Sequence, residues 1–214
     1  MYQRVAKRYD FAIQLYRLLG IRHQAYRARA TELLRLSKGD SVVDLGCGTG
    51  LNFPSIIERI GPEGRLIGID LTPEMLVRAQ ERVERSGWRN VELIQSDIAV
   101  YDFPEEINGV LSTGVFGYIA EYDRVIKAAA EALVPGGRLV ILDAKQPEQW
   151  PAAWILKLIL WLSKPFGVTP DYVNSPPWDS VERYFEEATL EKMYGGGMYI
   201  SSGTAPFPQV APHP

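Results

Sequence analysis

The stretch that decides the fold is "VVDLGCGTG", Val42 to Gly50. An apolar run that carries one acid, Asp44, leads directly into a turn with glycine at every second position. Glycine is favoured where the backbone needs a positive φ, or where a ligand must approach the chain without a Cβ in the way. The pattern therefore predicts a buried strand, a ligand-binding loop and the start of a helix.

The residues beyond this stretch continue the alternation of strands and helices. Predicted strands are Ser41–Leu45, Arg65–Asp70, Val91–Asp97, Ile107–Thr113 and Arg138–Ala144. Three helices are predicted between the strands. The first follows the glycine loop, the second begins after Thr72 and stops at Gly87, and the third runs from about Tyr122 to Leu133. This order is typical of an α/β protein with a doubly wound, mostly parallel sheet. Leu190–Tyr194 and Met198–Ser202 are expected to close the sheet as an antiparallel C-terminal pair.

Charge and composition divide the chain into three parts. Residues 1–38 predict amphipathic helices that form a lid, interrupted near Gly20, with nine Lys/Arg against two acids in a protein of net charge −3. Residues 39–205 are the predicted domain, with an insertion at 150–178, and residues 206–214 are a predicted disordered tail. A single cysteine and a polar N-terminus without a signal-like apolar run favour a cytoplasmic location.

Acidic residues end the first three strands on the edge where open α/β sheets bind ligands. They are Asp44, Asp70 and Asp97. The dinucleotide fingerprint G-x-G-x-x-G would require glycine at Leu51, and Asp44 beside the loop would repel a pyrophosphate while attracting a cation. The pattern therefore favours a cationic nucleoside cofactor over NAD.

These motifs, from about Ser37 to Ala144, resemble the class I S-adenosylmethionine-dependent methyltransferases, with a Rossmann-like methyltransferase fold. The resemblance implies that S-adenosylmethionine is the cofactor and that the glycine loop lies along its methionine moiety. The implied ribose ligand is Asp70, the implied adenine contacts are Leu71, Met75, Asp97 and Ile98, and the methionine side is lined by Asp44, Gly46, Gly48, Gly50, Asn52 and Thr113. The early "KRYD" implies that Tyr9 of the lid approaches the cofactor.

Two further motifs bear on the methyl acceptor. "GTGLNFP" resembles bacterial phospholipid N-methyltransferases, and "PGGRLVILDAKQP" resembles the ubiquinone/menaquinone methyltransferases, although "EEINGVLST" lacks their usual Phe-Asp entry to the fourth strand. The hypothesis is a methyltransferase for a lipid-like acceptor, either a phospholipid amine such as phosphatidylethanolamine or a quinone precursor. Alternatives are a soluble small-molecule acceptor or a non-catalytic nucleotide-binding module. Tyr118 and Asp143 are the candidate catalytic residues, and neither a nucleic-acid partner nor a metal ion is expected.

The apolar segment "WPAAWILKLILWLSKPF", Trp150 to Phe166, follows the fifth predicted strand. It is too short to span a membrane, which takes about 20 apolar residues. One interpretation is a cover that contacts an apolar acceptor on one side and a lipid interface on the other. The alternative is a helix buried in the core or in a dimer. Together with the cationic N-terminus, the first interpretation predicts peripheral contact with an anionic membrane at its inner face.

Overall fold

The fold is an open α/β sheet covered by helices. The computed structural model describes residues 23–144 and 176–207, and all structural statements concern these ranges. The strands are β1 Ser41–Leu45, β2 Arg65–Asp70, β3 Val91–Gln95, β4 Ile107–Thr113, β5 Leu133–Ala144, β6 Glu186–Met193 and β7 Met198–Thr204. The helices are α1 His23–Leu33, α2 Phe53–Ile60, α3 Pro73–Ser86, α4 Tyr122–Ala132 and α5 Pro177–Tyr184, and short 3₁₀ turns span Ile98–Val100, Phe116–Tyr118 and Tyr194–Gly196.

The strand order confirms the predicted doubly wound topology. Within the described ranges, the seven strands are arranged β3-β2-β1-β4-β5-β7-β6. The first five are parallel, whereas β7 pairs antiparallel with β5 and with β6. The chain leaves β1 toward β2 and β3 and then returns to the other side of β1 to form β4. This reversal places a switch point between β1 and β4, where sheets of this kind bind their ligands.

Alternating side chains of the strands pack in two hydrophobic layers, one on each face of the sheet. On β1, Val42 packs with Leu66 and the helical residues Ala30 and Phe53, while its neighbour Val43 packs in the layer that contains Ile126. All six side chains have at most 1% of their surface exposed. Because β1, β2 and β4 are buried on both faces, they are nearly continuous apolar runs, as central parallel strands usually are.

The predicted limits of β3, of β5 and of the C-terminal pair were wrong. Strand β3 ends at Gln95, so Asp97 lies beyond the strand rather than at its end. Strand β5 begins at Leu133, because Leu133 pairs with Ile107 across a register shift, so the "PGG" sequence lies inside the strand and is not a turn that precedes it. The C-terminal pair is longer than predicted, since β6 begins at Glu186 and β7 ends at Thr204.

Several predicted regions fall partly or wholly outside the described residues. The lid of residues 1–38 is described only from His23, and there Ala30 and Leu34 are buried in the core. The apolar segment 150–166 lies outside, as does most of the predicted insertion, whose last residues begin α5. No helix of the described part is long and apolar enough to cross a membrane.

Candidate functional site

The glycine loop between β1 and α2 has the conformation that its sequence predicts. Gly46, Gly48 and Gly50 all have positive φ, at 66°, 55° and 74°. A Cβ at Gly46 would overlap the side chain of Val115, so this position has no room for any other residue. At Gly48 a Cβ would meet nothing within 4 Å, so the backbone there borders open space. A Cβ at Gly50 would overlap the Phe53 ring, so Gly46 and Gly50 are packed and Gly48 is open, and the loop is suited to receive a ligand along the side of Gly48.

Asp70, the last residue of β2, fixes this loop and the turn that follows β2. Its Oδ2 accepts a hydrogen bond from the Gly48 N–H at 2.8 Å, and its Oδ1 accepts one from the Thr72 N–H at 2.9 Å. Each carboxylate oxygen can accept a second hydrogen bond, so the ribose hydroxyls predicted to bind here could be accommodated without breaking either contact. The structure thus places Asp70 against the loop, as its predicted role requires.

A second network joins β1, α2, β4 and α1 beneath the loop. The Asn52 Nδ2 donates to both oxygens of Asp44, at 3.0 and 3.1 Å, and to the Thr113 Oγ1 at 3.2 Å. The Arg27 Nη1 donates to the Asn52 Oδ1 at 2.8 Å and to the Thr113 Oγ1 at 2.7 Å. Asp44, Asn52 and Thr113, predicted separately along the chain, therefore form one buried cluster.

Sequence reasoning missed Arg27, which was counted only as part of a cationic N-terminal surface. It lies 25 residues from Asn52 and 86 from Thr113 along the chain. The available signal was the buried acid Asp44, which calls for a nearby cation, but local sequence does not say which of many arginines supplies it.

Burial changes the ionisation of two groups beside the loop. Asp44 is fully buried, and desolvation raises its pKa to about 7, partly offset by the Asn52 hydrogen bond and the Arg27 charge. Burial also raises the pKa of the Cys47 thiol, and the negative charges of Asp44 and Asp70 raise it further. Cys47 has 4% of its surface exposed, so it packs the loop and is unsuited to act as a nucleophile.

The predicted adenine contacts lie along the same edge of the sheet, beyond β2 and β3. The Asp97 carboxylate accepts a hydrogen bond from the Ala99 N–H at 2.9 Å and so begins a 3₁₀ turn, within which Ile98 is buried. Leu71 has 62% of its surface exposed, which is high for a large apolar side chain, and Met75 is half-buried.

The two candidate catalytic residues differ in setting. Tyr118 has 53% of its surface exposed, on the 3₁₀ turn after β4. Asp143 is 2% exposed, and its carboxylate accepts hydrogen bonds from the Gly117 N–H at 3.2 Å and the Ala144 N–H at 2.7 Å. Asp143 thus holds the turn that carries Tyr118. Tyr9, which the resemblance places near the cofactor, lies outside the described residues.

Two observations at the loop test whether a cofactor fits there. Gly48 leaves a space that a Cβ would enter without contact, and the buried Thr49 Oγ1 has no hydrogen-bond partner among residues 23–144 and 176–207. A buried, unsatisfied hydroxyl costs free energy unless a ligand or water completes it. The loop, the acids at the strand ends and the buried anion at Asp44 fit a cationic nucleoside such as S-adenosylmethionine.

Comparison with known proteins identifies the family. Residues 36–188 match the family described as "Methyltransferase domain". The demethylmenaquinone methyltransferase of Listeria welshimeri is 34% identical over 127 residues, which is 58% of this chain and 53% of that protein. The arsenite methyltransferase of Halobacterium salinarum is 35% identical over 117 residues, 54% of this chain and 30% of that protein. The chain spans about half the length, or less, of these curated relatives.

A solved structure supports the same fold. The S-adenosylmethionine-dependent methyltransferase of Aquifex aeolicus superposes with a TM-score of 0.55 at 21% identity, over 79% of this chain and 84% of that one. The chain belongs to the methyltransferase-domain family and has the fold of class I S-adenosylmethionine-dependent methyltransferases. The predictions of fold, family and cofactor are confirmed.

Proposed function

We propose that the protein transfers a methyl group from S-adenosylmethionine to an apolar, lipid-like acceptor, and that a quinone precursor is the first acceptor to test. The observation that carries this proposal is the 34% identity to demethylmenaquinone methyltransferases over 127 residues, which is 58% of the chain. The sequence adds the apolar segment 150–166, which follows β5 along the chain and which we propose contacts the acceptor.

Methyl transfer needs little acid–base or nucleophilic catalysis by protein side chains. S-adenosylmethionine supplies a methyl group activated by a sulfonium, so the barrier is mostly alignment and desolvation of the attacking atom. A nucleophilic N, O or C atom of the acceptor forms the new bond to the methyl carbon, the carbon–sulfur bond breaks with its electron pair left on sulfur, and S-adenosylhomocysteine leaves. A proton lost by the acceptor passes to a base or to water.

The residues of this chain would act by binding and orientation. Asp44 places a buried negative charge near the cationic cofactor, and Asp70 holds both the loop and the ribose. Asp143 fixes the turn of residues 116–118 through the Gly117 N–H, and this turn carries Tyr118 to the acceptor side of β4. Tyr118 is then the candidate to contact the acceptor, and Asp143 is its positioning residue.

Arsenite is a less suitable acceptor for this chain. Arsenic(III) is a soft centre that prefers thiolate ligands. The only cysteine in the sequence is Cys47, whose thiol is buried and has a raised pKa. A soluble aromatic acceptor remains the alternative to a lipid-like one.

The test is methyl transfer from labelled S-adenosylmethionine to a cell extract separated into organic-soluble and aqueous fractions. We expect label in the organic fraction. Demethylated quinones should be methylated, whereas phosphatidylethanolamine should be methylated only if the acceptor is an amine. A Trp154→Ser, Trp161→Ser variant should lose this transfer while it still binds cofactor. Label confined to aqueous products would contradict the lipid-like acceptor, and no label in any fraction would favour a non-catalytic module.

A further inference from the structure

The side-chain amide of Asn52 is the centre of the network beneath the glycine loop. Its Nδ2 side donates to Asp44 and its Oδ1 side accepts from Arg27. An asparagine amide can turn over and exchange these two ends, and the exchanged orientation would point an acceptor oxygen at the carboxylate. Because arginine can only donate, a contact from Arg27 to Oδ1 selects the orientation that supports Asp44.

Thr113 reinforces the selection from β4. Its Oγ1 accepts from the Arg27 Nη1 at 2.7 Å and from the Asn52 Nδ2 at 3.2 Å, so it binds both partners of the Arg27–Asn52 contact. Asn52 and Thr113 are 1% and 7% exposed, so water has little access to replace a lost donor. The arginine therefore comes from a separate element, α1, to complete a cluster formed by β1, α2 and β4.

The charges that face Asp44 make Arg27 its main electrostatic support. Asn52 and Thr113 are neutral, Asp70 from β2 carries a like charge, and Cys47 from the loop is an uncharged thiol. In the described part of the chain, Arg27 is the cation whose charge lowers the pKa of Asp44. It opposes burial and the charge of Asp70, which both raise that pKa. Without it the carboxylate would keep its desolvation cost and lose its counter-charge.

We propose that Arg27 is a positioning residue for the cofactor site: by fixing the Asn52 amide and opposing the effect of burial on Asp44, it favours the anionic form of that carboxylate for a cationic cofactor. This proposal rests on the binding of S-adenosylmethionine but not on the identity of the acceptor. It also assigns a task to α1 beyond the membrane-facing lid that the sequence predicts. Docking of α1 and readiness of the cofactor site become coupled, because one α1 residue completes the site.

The direct test is a carboxyl ¹³C NMR titration of the protein without cofactor, with the Asp44 signal assigned from an Asp44→Asn variant. Arg27→Gln should move the Asp44 midpoint upward by about one pH unit or more, since a nearby opposite charge lowers a carboxyl pKa by about 1 to 3 units. Arg27→Lys should restore most of the shift. Arg29→Ala is the matched control, because Arg29 lies on the same helix in exposed ion pairs with Glu32 and Glu191.

Calorimetry with S-adenosylmethionine between pH 6 and 9 then tests the consequence. Arg27→Gln should bind about tenfold more weakly than wild type at pH 7 and within about threefold at pH 9, where Asp44 ionises even without Arg27. An equal loss of affinity at every pH, with an unmoved Asp44 midpoint, would overturn the proposal and leave Arg27 a purely structural residue. If Arg27→Gln does not fold, Arg27→Met, which keeps a long side chain but removes the charge and the donors, takes its place in the same titration. Absence of cofactor binding in the wild type would count against the proposed function, while the NMR result would still judge Arg27.

Discussion

Replacement of Asp70 by alanine is the perturbation that most specifically tests the cofactor site. The carboxylate makes two backbone contacts, to the N–H groups of Gly48 and Thr72 at 2.8 and 2.9 Å. Its proposed ligand contacts are the two ribose hydroxyls. Asp70→Ala removes the charged acceptor for both sets, so the loop loses its anchor and the ribose loses its partner. A hydrogen bond to a charged group contributes about 1.5 to 3 kcal/mol, which corresponds to about a ten- to hundredfold loss of affinity.

The assay is titration calorimetry with S-adenosylhomocysteine, with circular dichroism to verify the fold. Asp70→Asn should lie between wild type and Asp70→Ala, because it keeps one acceptor oxygen but loses the charge. Asp179→Ala is a control with the same change of net charge, at an exposed position on α5. A folded Asp70→Ala protein that binds S-adenosylhomocysteine as tightly as wild type would refute the assignment of Asp70.

Three further predictions follow from burial and charge. Gly46→Ala should lower the melting temperature by about 5 °C or more, through overlap with Val115 and a positive φ, whereas Gly48→Ala should cost less stability but weaken cofactor binding measured by calorimetry. The folded-state pKa of Asp44 is raised to about 7, so the free energy of unfolding of wild type should fall between about pH 4 and 7, and Asp44→Asn should remove this fall. Above pH 7, urea titration should give the variant a free energy of unfolding higher than that of wild type by up to about 4 kcal/mol. Sedimentation with anionic vesicles should show binding that weakens as salt rises, if residues 1–38 contact membrane; equal binding to neutral vesicles would contradict that role.

Local pattern was sufficient to predict the sheet and the glycine loop. The central parallel strands β1, β2 and β4 are buried on both faces, so they stand out as apolar runs. The positive φ values of the loop require glycine at fixed positions. The limits of β5 and of the C-terminal pair were not predictable in this way. Leu133 joins β5 only because it pairs with Ile107 across a register shift, and such pairing depends on the partner strand.

The candidate site was predictable where a residue acts through its own strand end and not where it acts across the fold. Asp44 and Asp70 lie at strand ends, and the structure places both against the loop or its supporting residues. Asp143 also lies near a strand end, but its burial and its backbone contacts could not be inferred from that position. Arg27 reaches the site from another helix, so only the three-dimensional arrangement reveals it.

The central claim is that this loop and its acids hold S-adenosylmethionine rather than a dinucleotide. Equilibrium binding of S-adenosylmethionine and NADH to the same preparation tests it most directly. The account predicts one S-adenosylmethionine bound per chain, displaced by S-adenosylhomocysteine and unaffected by NADH, because Asp44 repels a pyrophosphate and Leu51 occupies the place of the third fingerprint glycine. Binding of NADH in competition with S-adenosylmethionine, or saturable binding of NADH alone, would contradict it.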